Sequence, residues 1–236
     1  KRIPMSVKIF LLTVILFAFP LMILQMISYS TINKASAEKA RELCERNTDT
    51  ETVTLSRIFD RYQLVANTIA ANTEVLKNLH YMNIWDSRNY QLAEVKIREE
   101  LYGIVDPYPD ILGVCVVGRM GDLVFYDKVS NSNVESFLVG DGNPRYGEEY
   151  LRTNNTQEMV YYKTKQKRSK IYGDYQILTL VQGIQDTLTV KREQVGSVIL
   201  YIDETAIASQ LSGDEPADDA LSFVTNEEGE ILISTN

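Results

Sequence analysis

Seven of the fourteen tyrosines in this 236-residue chain fall between residues 126 and 175: Tyr126, Tyr146, Tyr150, Tyr161, Tyr162, Tyr172 and Tyr175. A tyrosine offers a flat apolar face and a hydroxyl, a pairing suited to stacking on a sugar or small ring while hydrogen-bonding its rim. Arg145 and Asp174 stand close by in sequence and can orient polar groups. The chemistry on offer is recognition of a small solute, and the candidate ligand-binding set is Tyr126, Arg145, Tyr146, Tyr172, Asp174 and Tyr175. A plainer reading competes, because tyrosine is also a good strand residue on a half-exposed sheet. The best place to look is the loop 141–152 together with the stretch Tyr172–Tyr175.

Bond-breaking chemistry has no comparable signature. The single histidine, His80, has no second histidine or cysteine cluster to make a metal site. Two cysteines, Cys44 and Cys115, are too few for a disulfide framework. Cys115 lies in an apolar strand and packs there, while Cys44 reads as a free thiol or as a cross-link between two copies. No Ser-His-Asp set, P-loop or glycine-rich dinucleotide loop occurs, so no catalytic residue, metal or cofactor is expected. The basic group Lys163, Lys165, Lys167, Arg168 and Lys170 reads as a solvated hairpin tip, or alternatively as a contact for an anionic ligand or a cell-wall polymer.

These residues need a sheet to carry them. Ile111–Val117 and Leu123–Tyr126 read as a hairpin around a Gly118–Gly121 turn. A polar stretch, 127–156, follows, with a short helix expected near 148–152. Glu158–Lys163, Ile171–Gly183 and Val195–Asp203 read as three more strands, the last followed by the helical run ETAIASQL and the linker GDEPADD. The closing segment LSFVTNEEGEILISTN repeats the shape of ILGVCVVGRMGDLVFYDK, in that each glycine is followed by an acid and then Leu or Ile.

Ahead of the sheet, residues 29–80 contain neither Pro nor Gly, which predicts one long helix. Leu55, Ile58, Tyr62, Val65, Ile69, Asn72, Leu76 and Leu79 recur at alternating spacings of 3 and 4, a heptad seam. The seam is either a dimer interface with Asn72 setting register, or the face that packs on the chain's own sheet. A second helix is predicted over 87–105 and ends at DPYPD, since two prolines cannot continue it. Trp85 falls in the corner between the helices.

Ile9–Ser28 is uncharged and almost wholly apolar, and at about 1.5 Å per residue it matches a bilayer core of roughly 30 Å. A signal peptide usually has a shorter apolar region, of about 7–15 residues. Lys1, Arg2 and Lys8 precede the block and mixed charges follow it, so the positive-inside rule expects a cytoplasmic N-terminus and everything past Ser30 outside the cell membrane. The outer part carries 32 acids against 21 bases (24 less those three), a net charge of −11 that argues against a nucleic-acid partner.

A basic start, one span, a long helix and a five-stranded antiparallel sheet together resemble the double Cache (dCache) sensor domains of bacteria, which are tandem PAS-like modules. The local matches are ILGVCVVGRMGDLVFYD and the exit QVGSVILYIDETAIASQL, and the style of the span and stalk is most similar to Gram-positive sensor histidine kinases that work with AraC-type response regulators. The resemblance implies an α+β fold, with a long N-terminal helix on a PAS-like sheet, preceded by one transmembrane helix. The expected parts are a basic flank (1–8), the span (9–29), a stalk (30–80), a membrane-distal module (81–212), and a linker with the first hairpin of a second module (213–236). That hairpin, without its partner strands, is expected to be poorly defined or edge-exposed.

It also implies a ligand-sensing input segment that forms a homodimer, binds a small molecule on the concave face of the sheet and acts on a response regulator through an output module beyond residue 236. The segment itself is then no enzyme. The family's amino-acid-binding subgroup carries an Arg-x-Trp element that is missing here, where Arg119 is followed by Met120 and Gly121. That puts an α-amino acid ligand in doubt, and the expected solute is a sugar or organic acid. Alternative readings are the sensor of a chemoreceptor or cyclic-dinucleotide enzyme, and an anchored structural or adhesion domain with no small ligand.

Overall fold

A computed structural model describes residues 5–84, 89–132, 136–139, 160–190, 193–211, 223–225, 229 and 231–234, with the side chains of 6–18, 43–44, 47, 163–164 and 234 outside the description. The chain divides into two units, Lys1–Thr54 and Leu55–Asn236. In the first, every described residue belongs to helix α1 (Met5–Ala70). Thr50, Thr52 and Thr54 each donate a hydroxyl to the carbonyl four residues back, at 3.0, 2.7 and 3.0 Å. That habit lets a β-branched polar residue sit in a helix without a tertiary partner. Phe19, Leu21, Met22, Ile23, Leu24, Met26 and Ile27 are all exposed. Among the described residues no helix is long and apolar enough to cross a membrane; much of the apolar block Ile9–Ser28 lies in 6–18.

The second unit is a sheet covered on both faces. Its strands are β1 (Ile111–Gly118), β2 (Leu123–Asp127), β3 (Val160–Ser169), β4 (Gly173–Gln185) and β5 (Gln194–Asp203), in the spatial order β2-β1-β5-β4-β3. All neighbouring pairs are antiparallel. The last turns of α1, α2 (Thr73–Asn83), α3 (Tyr90–Val105) and α4 (Glu204–Leu211) pack on one face. Parity assigns each side chain: Leu178, Leu180, Val198, Leu200 and Ile202 face the helices, whereas Ile177, Val181, Ile199 and Tyr201 face the other way. Two covered faces explain why β1 and β5 read as apolar runs without alternation.

The predicted long helix is in fact two. Ala71 and Asn72 interrupt it, and Asn72 takes an extended conformation in which its Oδ1 accepts from the amides of Glu74 and Val75 at 2.8 and 3.0 Å. Asn72 is therefore an N-cap rather than a register-setting seam residue. The remaining seam packs on the chain's own sheet: Tyr62, Ile69, Leu76 and Leu79 are 0% exposed, Val65 1% and Ile58 5%, with Leu55 at the edge of the same core.

Two other boundaries differ from expectation. β3 runs through Ser169, so most of the basic group is strand, and the turn is Lys170–Tyr172 before Gly173. The second helix starts at Tyr90; Trp85, the expected helix near 148–152 and the linker 213–219 lie outside the described residues. The closing segment forms a separate two-stranded sheet of β6 (Phe223–Thr225) and β7 (Ile231–Ser234), making seven strands among the described residues. Its turn glycine repeats the first hairpin's backbone, with φ of +80° at Gly229 and +95° at Gly121. Phe223 and Ile231 are exposed, but Leu232 and Ile233 are buried in the main core, where β7 lies beside β3 and α4. The expectation of a poorly defined or edge-exposed hairpin fits Phe223 and Ile231 but not Leu232 and Ile233, which are buried.

Candidate functional site

On the sheet face away from the helices, one row of cross-strand neighbours runs Gly113, Tyr201, Thr179 and Tyr162 across β1, β5, β4 and β3. Tyr201 and Thr179 are 8% and 5% exposed, beneath partly buried Phe125, Phe137 and Tyr175. Burial pushes the Tyr201 phenol well above its usual range, so it stays a neutral O–H at any physiological pH. The row thus combines two aromatic rings and three hydroxyl groups on a rigid support.

Residues 136–139 are tied onto one end of this face. Leu138 seats directly over Gly113, where a Cβ would come 2.5 Å from its Cδ1 and 2.6 Å from the Tyr126 carbonyl. Asp127, 2% exposed at the end of β2, anchors the segment. Its Oδ2 accepts from Ser136 Oγ at 2.6 Å and Leu138 N at 3.0 Å, and its Oδ1 from the amides of Val129 and Ser130 at 2.8 and 3.0 Å. Lys167 reaches over from β3 and donates to the carbonyls of Phe137, at 3.1 Å, and Leu138. Burial holds its ammonium below the usual lysine range, with the nearby Asp127 opposing. Lys167 is therefore a tether, not part of a solvated hairpin tip.

The structure separates the sequence-derived ligand set. Tyr172 and Tyr175 gather around Phe137, with ring centroids at 5.4 and 6.0 Å. Asp174 points outward, its Oδ2 3.6 Å from Arg168 Nε, and both are mostly exposed. Tyr126 lies on the helix face: it packs edge-on to Tyr102 at 5.4 Å and donates to Asp106 at 3.0 Å, and its phenol is pushed up to about 12, chiefly by burial. Arg145 and Tyr146 lie outside the described residues. Sequence reasoning missed Tyr201, Thr179 and the anchor Asp127, and it named Tyr162 in the tyrosine cluster but not in the candidate ligand set. Tyr201 and Thr179 share the parity of Ile199 and Ile177, a signal that becomes readable once those strands are known to face two cores.

Two further groupings connect the layers. Tyr62 of α1 donates to Asp110 Oδ2 at 2.6 Å, Arg61 pairs with the same oxygen, and Asp203 at the β5–α4 junction donates its amide to the Asp110 carbonyl at 2.9 Å. At the far end of the sheet an open cleft of about 630 Å³ is lined by His80, Asn83, Arg119, Asp186, Thr189 and Glu193, among others. His80 Nε2 lies 3.2 Å from Asp186 Oδ2, and Arg119 Nη1 lies 3.1 Å from Glu193 Oε2. Among the described residues no group of acids, histidines and cysteines is arranged to hold a metal ion.

No family model matches the sequence, and no curated protein matches it. Solved structures do. The chain is similar to the isoleucine-bound sensory domain of the Campylobacter jejuni chemoreceptor Tlp3, at 14% identity and TM-score 0.53, over 81% of this chain and 70% of that one. It is similar to a domain of a sensory box/GGDEF family protein from Vibrio parahaemolyticus, at 11% identity and TM-score 0.57, over 81% and 70%. It is also similar to the extracellular domain of vpHK1S-Z8, named as a histidine kinase, at 11% identity and TM-score 0.54, over 81% and 66%. At such identities the likeness is one of fold, and this chain shares the fold of Cache-type sensory domains. It spans between 66% and 70% of the length of those three chains.

Proposed function

We infer that this chain is the ligand-sensing segment of a membrane-bound sensor histidine kinase, with a small solute held on the sheet face opposite the helices. The observation that carries this is the row Tyr201, Thr179 and Tyr162, flanked by Phe137 and Tyr175 and closed at one end by an anchored segment. Rings and neutral hydroxyls suit an uncharged or weakly polar ring such as a sugar, or an organic acid, better than a free amino acid. Tlp3 was solved with isoleucine bound, which makes isoleucine the natural competitor in any screen.

The uncharged helical run from Phe19 to Ile27, with its side chains exposed, fits a span that needs lipid around it. On this reading the N-terminus is cytoplasmic, residues past about 30 are extracytoplasmic, and the protein works as a homodimer on a response regulator. Ligand closure would bias two arrangements of the sheet against α1. At the Tyr62–Asp110–Asp203 junction, α1 and the end of β5, just ahead of α4, both donate hydrogen bonds to Asp110. The likeness to Tlp3 and to the GGDEF-family domain supports a second reading, in which the same sensor drives a chemoreceptor or a cyclic-dinucleotide enzyme. A phosphoacceptor histidine with an ATP lid, a methylated hairpin or a GG[DE]EF signature elsewhere in the full protein separates these outputs.

A thermal-shift screen of residues 30 onward against sugars, organic acids and amino acids tests the sensing function. A ligand at about 100 times its Kd adds roughly 2.7 kcal/mol, a rise of about 5–10 °C for a domain of this size. The double variant Tyr172→Ala/Tyr175→Ala should lose that shift. Silence across the whole panel would remove the reading and leave an anchored structural domain.

A further inference from the structure

His80 is the only histidine in the chain, hence the only side chain whose ordinary titration range lies between about pH 5 and 8. It sits in the last turn of α2, with Nε2 3.2 Å from Asp186 Oδ2 in the loop joining β4 to β5. Asp186 is built to receive a cation. Its side chain is 4% exposed, its Oδ1 accepts from the amides of Leu188 and Thr189 at 2.9 and 3.2 Å, and its Oδ2 accepts from Thr189 Oγ1 at 2.5 Å. The Thr189 hydroxyl first, then His80 and the Leu188 amide, hold its carboxyl below the usual carboxylate range against the opposing effect of burial, so it is ionised throughout the range in which a histidine titrates.

Among the described residues the neighbouring charged side chains are carboxylates, a guanidinium and an ammonium. Arg119 of the β1–β2 turn and Glu193 ahead of β5 pair with each other at 3.1 Å. Asp122 of the same turn accepts from Tyr90 of α3 at 3.1 Å, and Lys77 and Glu74, on α2 itself, pair at 3.8 Å. Residues 191–192 lie outside the described set. Among the described lining residues the cleft presents two carboxylates, Asp186 and Glu193, one guanidinium, Arg119, and the His80 imidazole. Its base is held by charge-independent bonds: Asn83 Nδ2 and the Arg119 amide both donate to the Val195 carbonyl, at 3.1 and 3.0 Å.

We propose that His80 and Asp186 form an acid-operated brace between the helical layer and the β4–β5 loop. Protonation of His80 converts a contact between a neutral imidazole and a carboxylate into an ion pair, and the end of α2 is then held to the sheet. The brace sits at the opposite end of β4 from Tyr175, so it modulates the sensor without occupying the solute-binding face. It adds a second input, external acidity, that does not depend on any small solute.

The test is an NMR titration of the full chain in detergent micelles, labelled in the histidine ring and in the leucine and threonine amides. One imidazole spin system is expected. The amides of Leu188 and Thr189, which bond the same carboxylate, should shift in step with it, with one shared midpoint. In Asp186→Asn the ring still titrates but the two amides lose that transition. In His80→Gln, which leaves the carboxylate in place, both amides stay flat between about pH 5 and 8. A ring that titrates in the wild type while both amides stay still would overturn the proposal, as would an amide transition that survives in His80→Gln.

Discussion

Replacing Asp127 by Asn changes almost no volume but removes a charge and one of two acceptor oxygens. The wild-type carboxylate accepts four hydrogen bonds, two on each oxygen. The Asn carbonyl can serve only one pair, so its NH2 must face either two amide donors or the Ser136 hydroxyl, which can accept, together with the Leu138 amide, which cannot. If it faces Val129 and Ser130, water can replace part of the loss, because those amides are half-buried. If it faces Ser136 and Leu138, which are 5% and 1% exposed, water has no room. Hydrogen bonds to a charged group contribute about 1.5–3 kcal/mol each, and a stranded buried donor costs about 1–3 kcal/mol, so intact docking in the variant carries a penalty of roughly 2–5 kcal/mol.

Undocking 136–139 relieves that penalty but exposes Leu138, whose full burial contributes about 1.5–3 kcal/mol. The smaller cost wins, so urea unfolding of Asp127→Asn should show a loss of about 2–3 kcal/mol. Hydrogen exchange at the Leu138 amide should accelerate by more than about tenfold, the factor that corresponds to 1.4 kcal/mol. A midpoint within about 0.5 kcal/mol of wild type, the usual scatter of an unimportant surface change, together with an unchanged Leu138 exchange rate would refute the reasoning.

Two further predictions test the packing. Gly196→Ala places a Cβ 2.5 Å from the Val117 carbonyl and 2.9 Å from Leu79 Cδ2; the leucine can rotate but the strand cannot, so urea unfolding should show a loss of about 1–3 kcal/mol or more, and a loss under 0.5 would contradict the β1–β5 register. Cys115 is fully buried and its thiol is pushed up to about 12 by burial; in a Cys44→Ser background it should resist a thiol reagent at pH 8 until urea is added, and fast labelling of the folded protein would contradict that burial.

Much of the fold was legible because hydrophobic period survives in a single sequence. The seam from Leu55 to Leu79 predicted a helical face, and burial of that face in the chain's own core chose between the two readings its spacing allowed. Asn72 was misread because an N-cap and a polar seam residue look alike where spacing is the only cue. What distinguishes them is backbone geometry, φ −68° and ψ 120°, together with the amides of Glu74 and Val75 pointing at its side chain. Lys167 was hidden for a different reason. In a run of five basic residues over eight positions, nothing local marks the one whose ammonium meets two carbonyls 29 and 30 residues earlier.

The candidate site was legible by type and not by face, and strand parity explains both halves of that result. Tyr161 and Tyr162 are adjacent, so a β-strand must point them to opposite sides. Tyr161 packs edge-on to Phe59 of α1 at 4.7 Å, while Tyr162 belongs to the row with Thr179 and Tyr201. Tyr126 pairs with Val114, a helix-face residue, and so falls on the side of Tyr161. A cluster of tyrosines in a sheet covered on both faces is thus two clusters with different duties. The helix-side rings pack against the helices, and the opposite set is the one the proposed function assigns to a solute. Parity alone cannot say which set is which, because both faces of this sheet are apolar enough to be core. The deciding residue is Asp127, whose buried carboxylate ties a segment of its own chain over one face and so marks that face as the one with a built edge.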